Sequence, residues 1–468
     1  MIGRTEEIQQ LNDMYSSTKF EFMIMYGRRR IGKTTILLEF ADQHRSIFFS
    51  AQEKNDALNL HDFSRIVQEF FDSDYIAAFE NWEDAFGYVG KKTANNTTDN
   101  NKTVLIIDEF PFLASPNPSI KSILQHIIDH DWKNKNILLV LCGSSVSFMI
   151  NDVMGYKSPL YGRCTGNMEV LPFNYYESGA FFPEYSPEDK IISYGILGGV
   201  PRYLNAFDDE QSIKDNIVTN ILKNGVFLND EPQALLRMEL REPSVYNSIL
   251  EAVASGKNRV SEISDRIKED KGKCSKYILV LQTLRLLEKH VPCGEKKDSK
   301  KGIYEITDNY YKFWYRYVFA NRSYYSMLGD YRASEEIMTD INEYMGPVFE
   351  DICRQYLTIM AGKGRLPFVP SVMGKWWGNN PVIKAQDDVD ILALSKDRTS
   401  AIFCECKFRN KPMPMEEYDD LLTAASAFDV RDKYYFFFSK SGYTKPFMER
   451  ARKDSARLLT IKDLFDLS

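Results

Sequence analysis

The chain has 468 residues, 44% of them apolar, so it is long enough for about three domains with cores of their own. Its formal charge of −7 excludes a uniformly basic nucleic-acid binder, although one domain could still carry a basic patch. The seven cysteines form no C-x-x-C pair, the N-terminus lacks a secretory pattern, and no apolar run approaches the roughly 20 residues of a membrane span. We therefore expect a cytoplasmic protein without a membrane segment.

Residues 1–235 alternate short apolar strands with amphipathic stretches, a pattern typical of a mostly parallel sheet covered by helices. The fold class predicted here is α/β. The predicted strands are 20–26, 46–50, 103–107 and 136–141. The polar segment 91–102 is predicted to be a loop.

The segment after the first strand satisfies the phosphate-loop pattern G-x-x-x-x-G-K-[ST] and opens a helical run. The predicted nucleotide-binding residues are Gly27, Arg28, Arg29, Arg30, Ile31, Gly32, Lys33, Thr34 and Thr35. Glycines let backbone N–H groups wrap phosphates, and the helix N-terminus adds its positive end. We expect Lys33 to contact the β- and γ-phosphates of ATP and Thr34 to bind Mg²⁺.

The strand 103–107 ends in Asp108 and Glu109. Asp108 is predicted to hold Mg²⁺ through water, and Glu109 to polarise the attacking water. The next strand ends in Ser144 and Ser145, where a polar residue could sense the γ-phosphate or simply cap a helix.

A pair of histidines, His126 and His130, has the spacing of a zinc-protease motif, which requires a glutamate directly after the first histidine. Isoleucine follows instead, so both histidines are interpreted as helix-surface residues.

Residues 240–325 read as helix, turn, helix, longer helix and two short strands, which is the order of a winged helix. Between Lys257 and Arg322 there are 16 Lys plus Arg and 9 Asp plus Glu, a local balance of 16 − 9 = +7. Such a domain either neutralises DNA phosphates or serves as a protein joint, and both alternatives stay open.

The remainder is a second α/β pattern, with a helix near 346–357, strands at 382–394 and 400–408, a helix near 415–428 and a strand at 433–439. Glu405 and Lys407 lie two apart, so they share one strand face, and Asp390 joins them if the two strands pair as a hairpin. Glu350 on the preceding helix could complete a metal shell. Two carboxylates and a lysine suit metal-assisted phosphodiester hydrolysis, and the alternative is a solvated, salt-bridged strand face.

The N-terminal half resembles the archaeal-type ATPases of the STAND class of P-loop NTPases, which are relatives of the AAA+ proteins. The resemblance rests on an opening Ile2-Gly3-Arg4 with Glu7, on GRRRIGKTT, the acidic strand end, GSS and PLYGR, and on the run GGVPRY at 198–203. It implies that Ile2, Arg4 and Pro201 lie beside the adenine. It also makes Arg163 a candidate arginine for the γ-phosphate, either in cis or from a neighbour.

The C-terminal segment resembles the restriction-endonuclease-like domain, PD-(D/E)XK, found at the C-terminus of many such ATPases. Two departures are visible: no proline precedes Asp390, and Glu416, Glu417 and Tyr418 stand where related nucleases often carry glutamine. Asp388 shares a face with Asp390 and could substitute for it. The expected domains are an ATPase at 1–235 with a helical lid after about 175, a winged helix at 236–328 and a nuclease-like domain at 329–468.

The sequence thus predicts an ATP-controlled switch, with ATP and Mg²⁺ as cofactors, that governs a DNA-binding winged helix and a metal-dependent nuclease. The alternative keeps the ATPase but makes the rest a regulator or scaffold with an inactive nuclease fold. A third hypothesis is a homo-oligomeric remodelling machine that works as an AAA+ ring.

Overall fold

A computed structural model describes residues 2–72, 77–94 and 102–467. The chain divides into two compact units, Met1–Pro172 and Phe173–Ser468. The predicted domain boundaries near 235 and 328 both lie inside the second unit and stay predictions. No helix in the described ranges is long and apolar enough to cross a membrane.

The first unit is built on five parallel strands. They are β1 (Glu21–Tyr26), β2 (Ser46–Ser50), β3 (Thr103–Asp108), β4 (Ile137–Gly143) and β5 (Gly166–Glu169). Their order across the sheet is β2-β3-β4-β1-β5. The predicted α/β class is confirmed, and all four predicted strands are present with small shifts at their ends. Strand β5 was not predicted from the sequence, because it is short and half polar.

The helices of this unit are α1 (Thr5–Ser16), α2 (Lys33–Gln43), α3 (Asp56–Phe70), α4 (Trp82–Ala94), α5 (Pro111–Ala114), α6 (Ile120–His130) and α7 (Val146–Phe148). The loop prediction was wrong for residues 91–94, which form the last turn of α4. Lys91 and Lys92 are favourable there because cations stabilise a helix C-terminus. The rest of that predicted loop, up to residue 101, lies outside the described residues.

Because the five strands run in the same direction, their carboxyl ends lie on one side of the sheet. On this side β1 is followed by Gly27, β3 by Glu109 and β4 by Ser144. Crevices outside the carboxyl ends of parallel strands are the usual ligand sites of such sheets. The topology therefore collects the predicted nucleotide residues of three strands in one place.

The second unit begins with the helices of the predicted lid. These are α8 (Tyr175–Gly179), α9 (Pro187–Leu197), α10 (Pro201–Leu204), α11 (Ile213–Ile217) and α12 (Phe227–Glu239). A winged-helix arrangement follows, with α13 (Pro243–Ala254), α14 (Val260–Ile267), α15 (Lys271–Thr283) and the antiparallel pair β6 (Leu287–His290) and β7 (Ile303–Ile306). This is the order of elements that the sequence predicted.

The remaining elements form a small mixed sheet with helices. They are α16 (Asn309–Phe313), α17 (Ala320–Leu328), α18 (Asp330–Gly362), β8 (Val372–Asn380), β9 (Ala385–Leu394), β10 (Ser400–Lys407), α19 (Met415–Ala425), β11 (Asp432–Ser439), α20 (Lys445–Lys453), β12 (Arg457–Thr460) and α21 (Ile461–Phe465). The sheet order is β12-β11-β10-β9-β8. Strands β8, β9 and β10 pair antiparallel, whereas β10, β11 and β12 run parallel. The hairpin expected between the strands of Asp390 and Glu405 is therefore formed by β9 and β10.

Candidate functional site

The phosphate loop connects β1 to α2, and its two glycines stand where a side chain would be strained or would clash. Gly27 has φ +156°, and a Cβ added to it would lie 2.4 Å from the carbonyl oxygen of Val170. Gly32 has φ +93° and forms the N-cap of α2. The loop can therefore present its backbone N–H groups closely to a bound phosphate chain.

Lys33 is the first residue of α2, and its side chain is buried. Its Nζ donates hydrogen bonds to the carbonyl oxygens of Gly27 (2.8 Å) and Arg28 (3.0 Å). Burial lowers the pKa of this ammonium, because desolvation disfavours its charged form, while Glu109 and Asp108 act in the opposite direction. The ammonium thus lies against the loop that is predicted to hold phosphates.

The other predicted loop residues flank this lysine in the chain. Arg28, Arg29 and Arg30 are half-buried, and Arg30 has a left-handed backbone with φ +69°. Thr35 is exposed in the first turn of α2.

The start of α2 and the ends of β3 and β4 meet in one hydrogen-bonded chain. The hydroxyl of Thr34 donates to Asp108 Oδ2 over 2.7 Å, and the backbone N–H of Glu109 donates to Asp108 Oδ1 over 3.0 Å. The Ser144 hydroxyl donates to Glu109 Oε2 over 2.9 Å, and its backbone N–H contacts the same oxygen at 3.3 Å. Thr34, Asp108, Glu109 and Ser144 are therefore brought together as the sequence anticipated, although Ser144 contacts a carboxylate.

Hard cations such as Mg²⁺ prefer oxygen ligands, and the fit to this ion rests on the donor set. The hydroxyl of Thr34 and the carboxylate of Asp108 supply two oxygens within 2.7 Å of each other at the edge of the phosphate loop. These residues fit the ion that accompanies a bound nucleotide.

The predicted adenine residues have different surroundings. Arg4 is buried with a left-handed backbone (φ +66°), and its guanidinium donates to Ile31 O at 3.0 Å and to Glu7 Oε1 at 2.9 Å. Arg4 therefore contacts the phosphate loop through the carbonyl oxygen of Ile31. Ile2 is exposed, and Pro201 is the first residue of α10 in the second unit. Their predicted contact with adenine stays a prediction.

Arg163 lies at the amino ends of the parallel strands, whereas the phosphate loop lies at their carboxyl ends. It forms a bidentate ion pair with Asp129, in the last turn of α6, with N–O distances of 2.7 to 3.2 Å. Thr165, two residues later, donates its N–H to Phe22 O near the start of β1. Because a strand rises about 3.3 Å per residue, β1 separates this end from Gly27 by roughly 15–20 Å. The prediction that Arg163 contacts the γ-phosphate in cis is wrong for this arrangement, and its role toward a neighbour stays a prediction.

In the second unit, Asp390 in the middle of β9 converges with Glu405 and Lys407 at the end of β10. Asp390 is buried, and its Oδ2 accepts a hydrogen bond from the backbone N–H of Cys406 over 2.9 Å. The Lys407 ammonium bonds Glu405 and lies 3.9 Å from Asp390 Oδ2 and 3.4 Å from Glu417 Oε2. The three predicted residues share one cluster.

Glu350 reaches the same cluster from α18 and is bonded there by a lysine that the sequence interpretation missed. Lys375 Nζ, on β8, lies 2.8 Å from Glu350 Oε2, 3.6 Å from Asp390 Oδ1 and 3.7 Å from Asp388 Oδ2. We call these five carboxylates and two lysines the carboxylate–lysine cluster: Glu350, Asp388, Asp390, Glu405, Glu417, Lys375 and Lys407.

The pKa values in this cluster are shifted by burial and by like charges. Burial, followed by the charge of Asp390, raises the pKa of Glu350 to about 7 and that of Glu405 to about 8. Burial opposes the charged form of Lys375 and Lys407, but the surrounding carboxylates outweigh it and raise both lysine pKa values. The lysines therefore carry the positive charge of this cluster.

The predicted metal shell of Asp390, Glu405 and Glu350 does not fit an ion in this arrangement. Across the described ranges, no group of three or more His, Cys, Asp and Glu side chains is placed so that it could hold a metal. The oxygens that would bind an ion contact ammonium groups instead. Two positive charges already compensate the carboxylates, and a divalent ion would have to displace at least one.

Exposed lysines line the wing of the winged helix. Lys296, Lys297 and Lys300 are exposed between β6 and β7, whereas Lys301 pairs with Glu295 at 2.8 Å. On α15, Lys271 and Lys276 are also exposed. These exposed lysines contribute to the local excess of positive charge in this segment.

The fold and the Gly27–Ser144 arrangement define a P-loop ATPase. A family model described as "ATPase domain predominantly from Archaea" matches residues 1–207, and one described as "Archaea bacterial proteins of unknown function" matches residues 314–419. An uncharacterized protein of Methanocaldococcus jannaschii is 33% identical over 443 residues, which cover 94% of this chain and 95% of that protein. The chain belongs to this family of archaeal-type ATPases.

One solved structure supports the same fold. A Walker-type ATPase of Pyrococcus abyssi aligns with a TM-score of 0.50 and 19% identity, covering 68% of this chain and 96% of that one. The ORC2 protein of Aeropyrum pernix aligns with a TM-score of 0.44 and 14% identity, covering 70% and 96%.

Besides Lys375, the sequence interpretation missed Cys142. Its buried thiol lies beside Asp108 at the end of β4, and burial, followed by the charge of Asp108, raises its pKa. Cys142 could have been found because it precedes Gly143 and Ser144 on a strand next to the acidic one. Lys375 gave no such signal, because β8 contains two glycines and two asparagines and was not predicted as a strand.

Proposed function

We propose that the chain is an ATP-hydrolysing switch whose first unit binds ATP with Mg²⁺ on Gly27 to Thr34 and hydrolyses it with Glu109. One observation carries this proposal: Thr34, Asp108, Glu109 and Ser144 form a continuous hydrogen-bonded chain beside a phosphate loop in which Gly27 has no room for a Cβ. Family membership supports the same activity.

Each residue has a separate task in the proposed reaction. The loop N–H groups hold the phosphates, and Lys33 exchanges its carbonyl partners for the β- and γ-phosphate oxygens. Thr34 and Asp108 would hold Mg²⁺, which neutralises charge that develops on the phosphates. Glu109 orients the attacking water and accepts its proton, while Ser144 fixes the orientation of the Glu109 carboxylate.

Lys33→Ala tests the nucleotide site, because Lys33 is the cation that the phosphate-loop motif directs at the β- and γ-phosphates. ATP hydrolysis should be lost and the dissociation constant for ATP should rise sharply, as measured with a fluorescent nucleotide. Lys133→Ala is the matched control, since this exposed lysine of the same unit precedes β4 and so lies at the amino ends of the strands, away from the loop. Hydrolysis by Lys33→Ala at the parental rate would refute the assignment.

We further propose that the winged helix binds DNA through α15 and the wing. The exposed Lys296, Lys297 and Lys300 support this, together with the local balance of +7. Affinity for duplex DNA should fall with rising salt, with a log–log slope of about −0.9 for each phosphate neutralised. Charge reversal at Lys296, Lys297, Lys300 and Lys301 should flatten that slope. If the protein does not bind duplex DNA even at low salt, the proposal fails and the winged helix serves as a protein joint.

Helix α18 supports a proposal for how ATP could govern the rest of the second unit. Its Tyr344 hydroxyl donates to Gly195 O on α9 over 2.7 Å, and its Gln355 side chain accepts from the N–H of Tyr175 on α8 over 3.0 Å. The same helix carries Glu350 to the C-terminal sheet. Any movement of the predicted lid would therefore be transmitted along α18 to the carboxylate–lysine cluster.

Metal-dependent cleavage of DNA is the second proposed activity, and the convergence of Asp390, Glu405 and Lys407 supports it. The alternative is an inactive nuclease fold that serves as a binding module, and the two lysines that already compensate the carboxylates favour this alternative. Cleavage of plasmid DNA with Mg²⁺ or Mn²⁺, with and without ATP, distinguishes the two. Asp390→Asn should abolish any cleavage that the parental protein shows, and absence of cleavage under every condition would leave the binding module.

A further inference from the structure

Lys375 bridges three carboxylates that come from two elements. Its ammonium contacts Glu350 on α18 together with Asp388 and Asp390 on β9, at 2.8, 3.7 and 3.6 Å. Lys375 itself belongs to β8, the edge strand of the sheet. One cation thus holds the helix and the strand that would supply the oxygens of the predicted metal shell.

Asp390 lies between the two lysines, and each of its oxygens has a partner. Oδ2 is fixed by the backbone N–H of Cys406 and lies 3.9 Å from Lys407 Nζ. Oδ1 lies 3.6 Å from Lys375 Nζ. Because the backbone bond to Oδ2 is buried, Oδ1 is the oxygen that a divalent ion could reach, and it becomes accessible when Lys375 moves away.

The two lysines differ in how easily they can leave. Lys375 is 41% exposed and extends from an edge strand, whereas Lys407 is 27% exposed and lies among Glu405, Glu417 and Asp390. A lysine has a flexible four-carbon stem, so its ammonium can move several ångströms without a change in the backbone. Lys375 is therefore the exchangeable cation of the cluster.

We propose that Lys375 is a built-in counter-cation, which must leave Glu350 and Asp390 before a divalent ion can bind, and which thereby gates the candidate nuclease site. An ammonium and a divalent ion repel each other at short distance, so occupancy of these oxygens by one strongly disfavours occupancy by the other. A phosphodiester that approaches the site offers the lysine a new anionic partner. Binding of the metal is then coupled to arrival of the nucleic-acid backbone.

This inference rests on the proposed nuclease site and is tested by metal affinity. Mn²⁺ binding is measured without nucleotide, by electron paramagnetic resonance of the free ion, and the signal of the double variant Asp390→Asn with Glu405→Gln is subtracted. Lys375→Met should bind Mn²⁺ at least about tenfold more tightly than the parental protein, because three carboxylates lose their counter-charge. Lys375→Arg, which keeps the charge, should resemble the parental protein.

Lys384→Met is the matched control for the loss of one positive charge, since Lys384 is exposed in the turn between β8 and β9. It should leave the Mn²⁺ affinity unchanged. Thermal unfolding in EDTA verifies that each variant is folded.

Two outcomes would overturn the inference, and they can be told apart. Equal Mn²⁺ affinity in the parental protein and Lys375→Met, both abolished in the double variant, refutes the gate but leaves the metal site. No Mn²⁺ binding to any variant refutes the gate and the proposed nuclease site together. Tighter binding by Lys375→Met without DNA cleavage supports the gate and refutes only the nuclease activity.

Discussion

The Ser144 hydroxyl donates a hydrogen bond to Glu109 Oε2 over 2.9 Å, and it thereby links the end of β4 to the end of β3. Glu109 has a left-handed backbone with φ +52°, so its side chain leaves the strand direction and turns toward β4. The sequence interpretation left two roles open for Ser144, a sensor of the γ-phosphate or a helix cap. In the structure Ser144 contacts Glu109, and we propose that it positions the carboxylate that would orient water.

Ser144→Ala should therefore slow ATP hydrolysis without weakening ATP binding. A hydrogen bond to a charged group is worth about 1.5–3 kcal/mol, so kcat should fall at least about tenfold while KM for ATP stays nearly constant. Steady-state kinetics measure both values. The neighbouring Ser145→Ala is the control, since the Ser145 side chain makes no capping bond to α7. A rise in KM at constant kcat would show that Ser144 contacts the nucleotide.

Arg163 should act on a neighbouring copy if it acts on ATP at all. Arg163→Ala and Glu109→Gln should each be inactive alone, but their mixture should regain hydrolysis, because an intact Glu109 in one copy can meet an intact Arg163 from another. Arg65→Ala, which removes a surface arginine paired with Glu69, serves as the control. If Arg163→Ala hydrolyses ATP at the parental rate, its ion pair with Asp129 is only structural.

Stability should depend on pH through Glu405. Its pKa is raised to about 8 in the folded protein, so between its ordinary pKa and pH 8 the folded state binds more protons than the unfolded state. Folding therefore favours the protonated form of Glu405. The resulting contribution to the free energy of unfolding is present at low pH and is lost as the pH rises through 8. Glu405→Gln cannot ionise, so it should gain stability relative to the parental protein between pH 5 and pH 9.

Urea unfolding in EDTA at several pH values measures this difference. Glu416→Gln, which removes an exposed carboxylate at the start of α19, should show a much smaller change. A difference between Glu405→Gln and the parental protein that stays constant from pH 5 to pH 9 would contradict the raised pKa.

Coupling through α18 should be sensitive to Gln355. Gln355→Ala removes the acceptor for the N–H of Tyr175 on α8 and the donor to Asp351 on α18 itself. The rate of ATP hydrolysis should change little, whereas any effect of ATP on DNA affinity should be reduced. DNA binding is measured with and without a non-hydrolysable nucleotide. Thr358→Ala, an exposed position of the same helix, is the control.

Much of the first unit could be predicted from the sequence, because its strands are continuous buried apolar runs that end in motif residues. The position of Arg163 could not be predicted, because it follows from the fact that the PLYGR segment leads directly into β5. That strand was too short and polar to be recognised. If β5 had been recognised as parallel to β1, Arg163 would have been placed at the amino ends of the strands and Gly27 at their carboxyl ends.

The candidate site of the second unit was predicted in part. Alternation along β9 and β10 correctly predicted that Asp390, Glu405 and Lys407 converge. The contribution of Lys375 depends on tertiary pairing between β8 and β9, and no local pattern in a strand with Gly374 and Gly378 signals it. A lysine that neutralises carboxylates from other elements is visible only once the sheet is assembled.

The central claim, that Glu109 performs the chemistry of an ATP-hydrolysing switch, is tested most directly by Glu109→Gln. Nucleotide affinity and single-turnover hydrolysis are measured on the same folded preparation. The affinity should stay close to that of the parental protein, whereas hydrolysis should fall at least about 100-fold, because the amide cannot accept the proton of the attacking water. Hydrolysis at the parental rate would contradict the account, and so would loss of ATP binding, because Glu109 would then contact the nucleotide rather than the water.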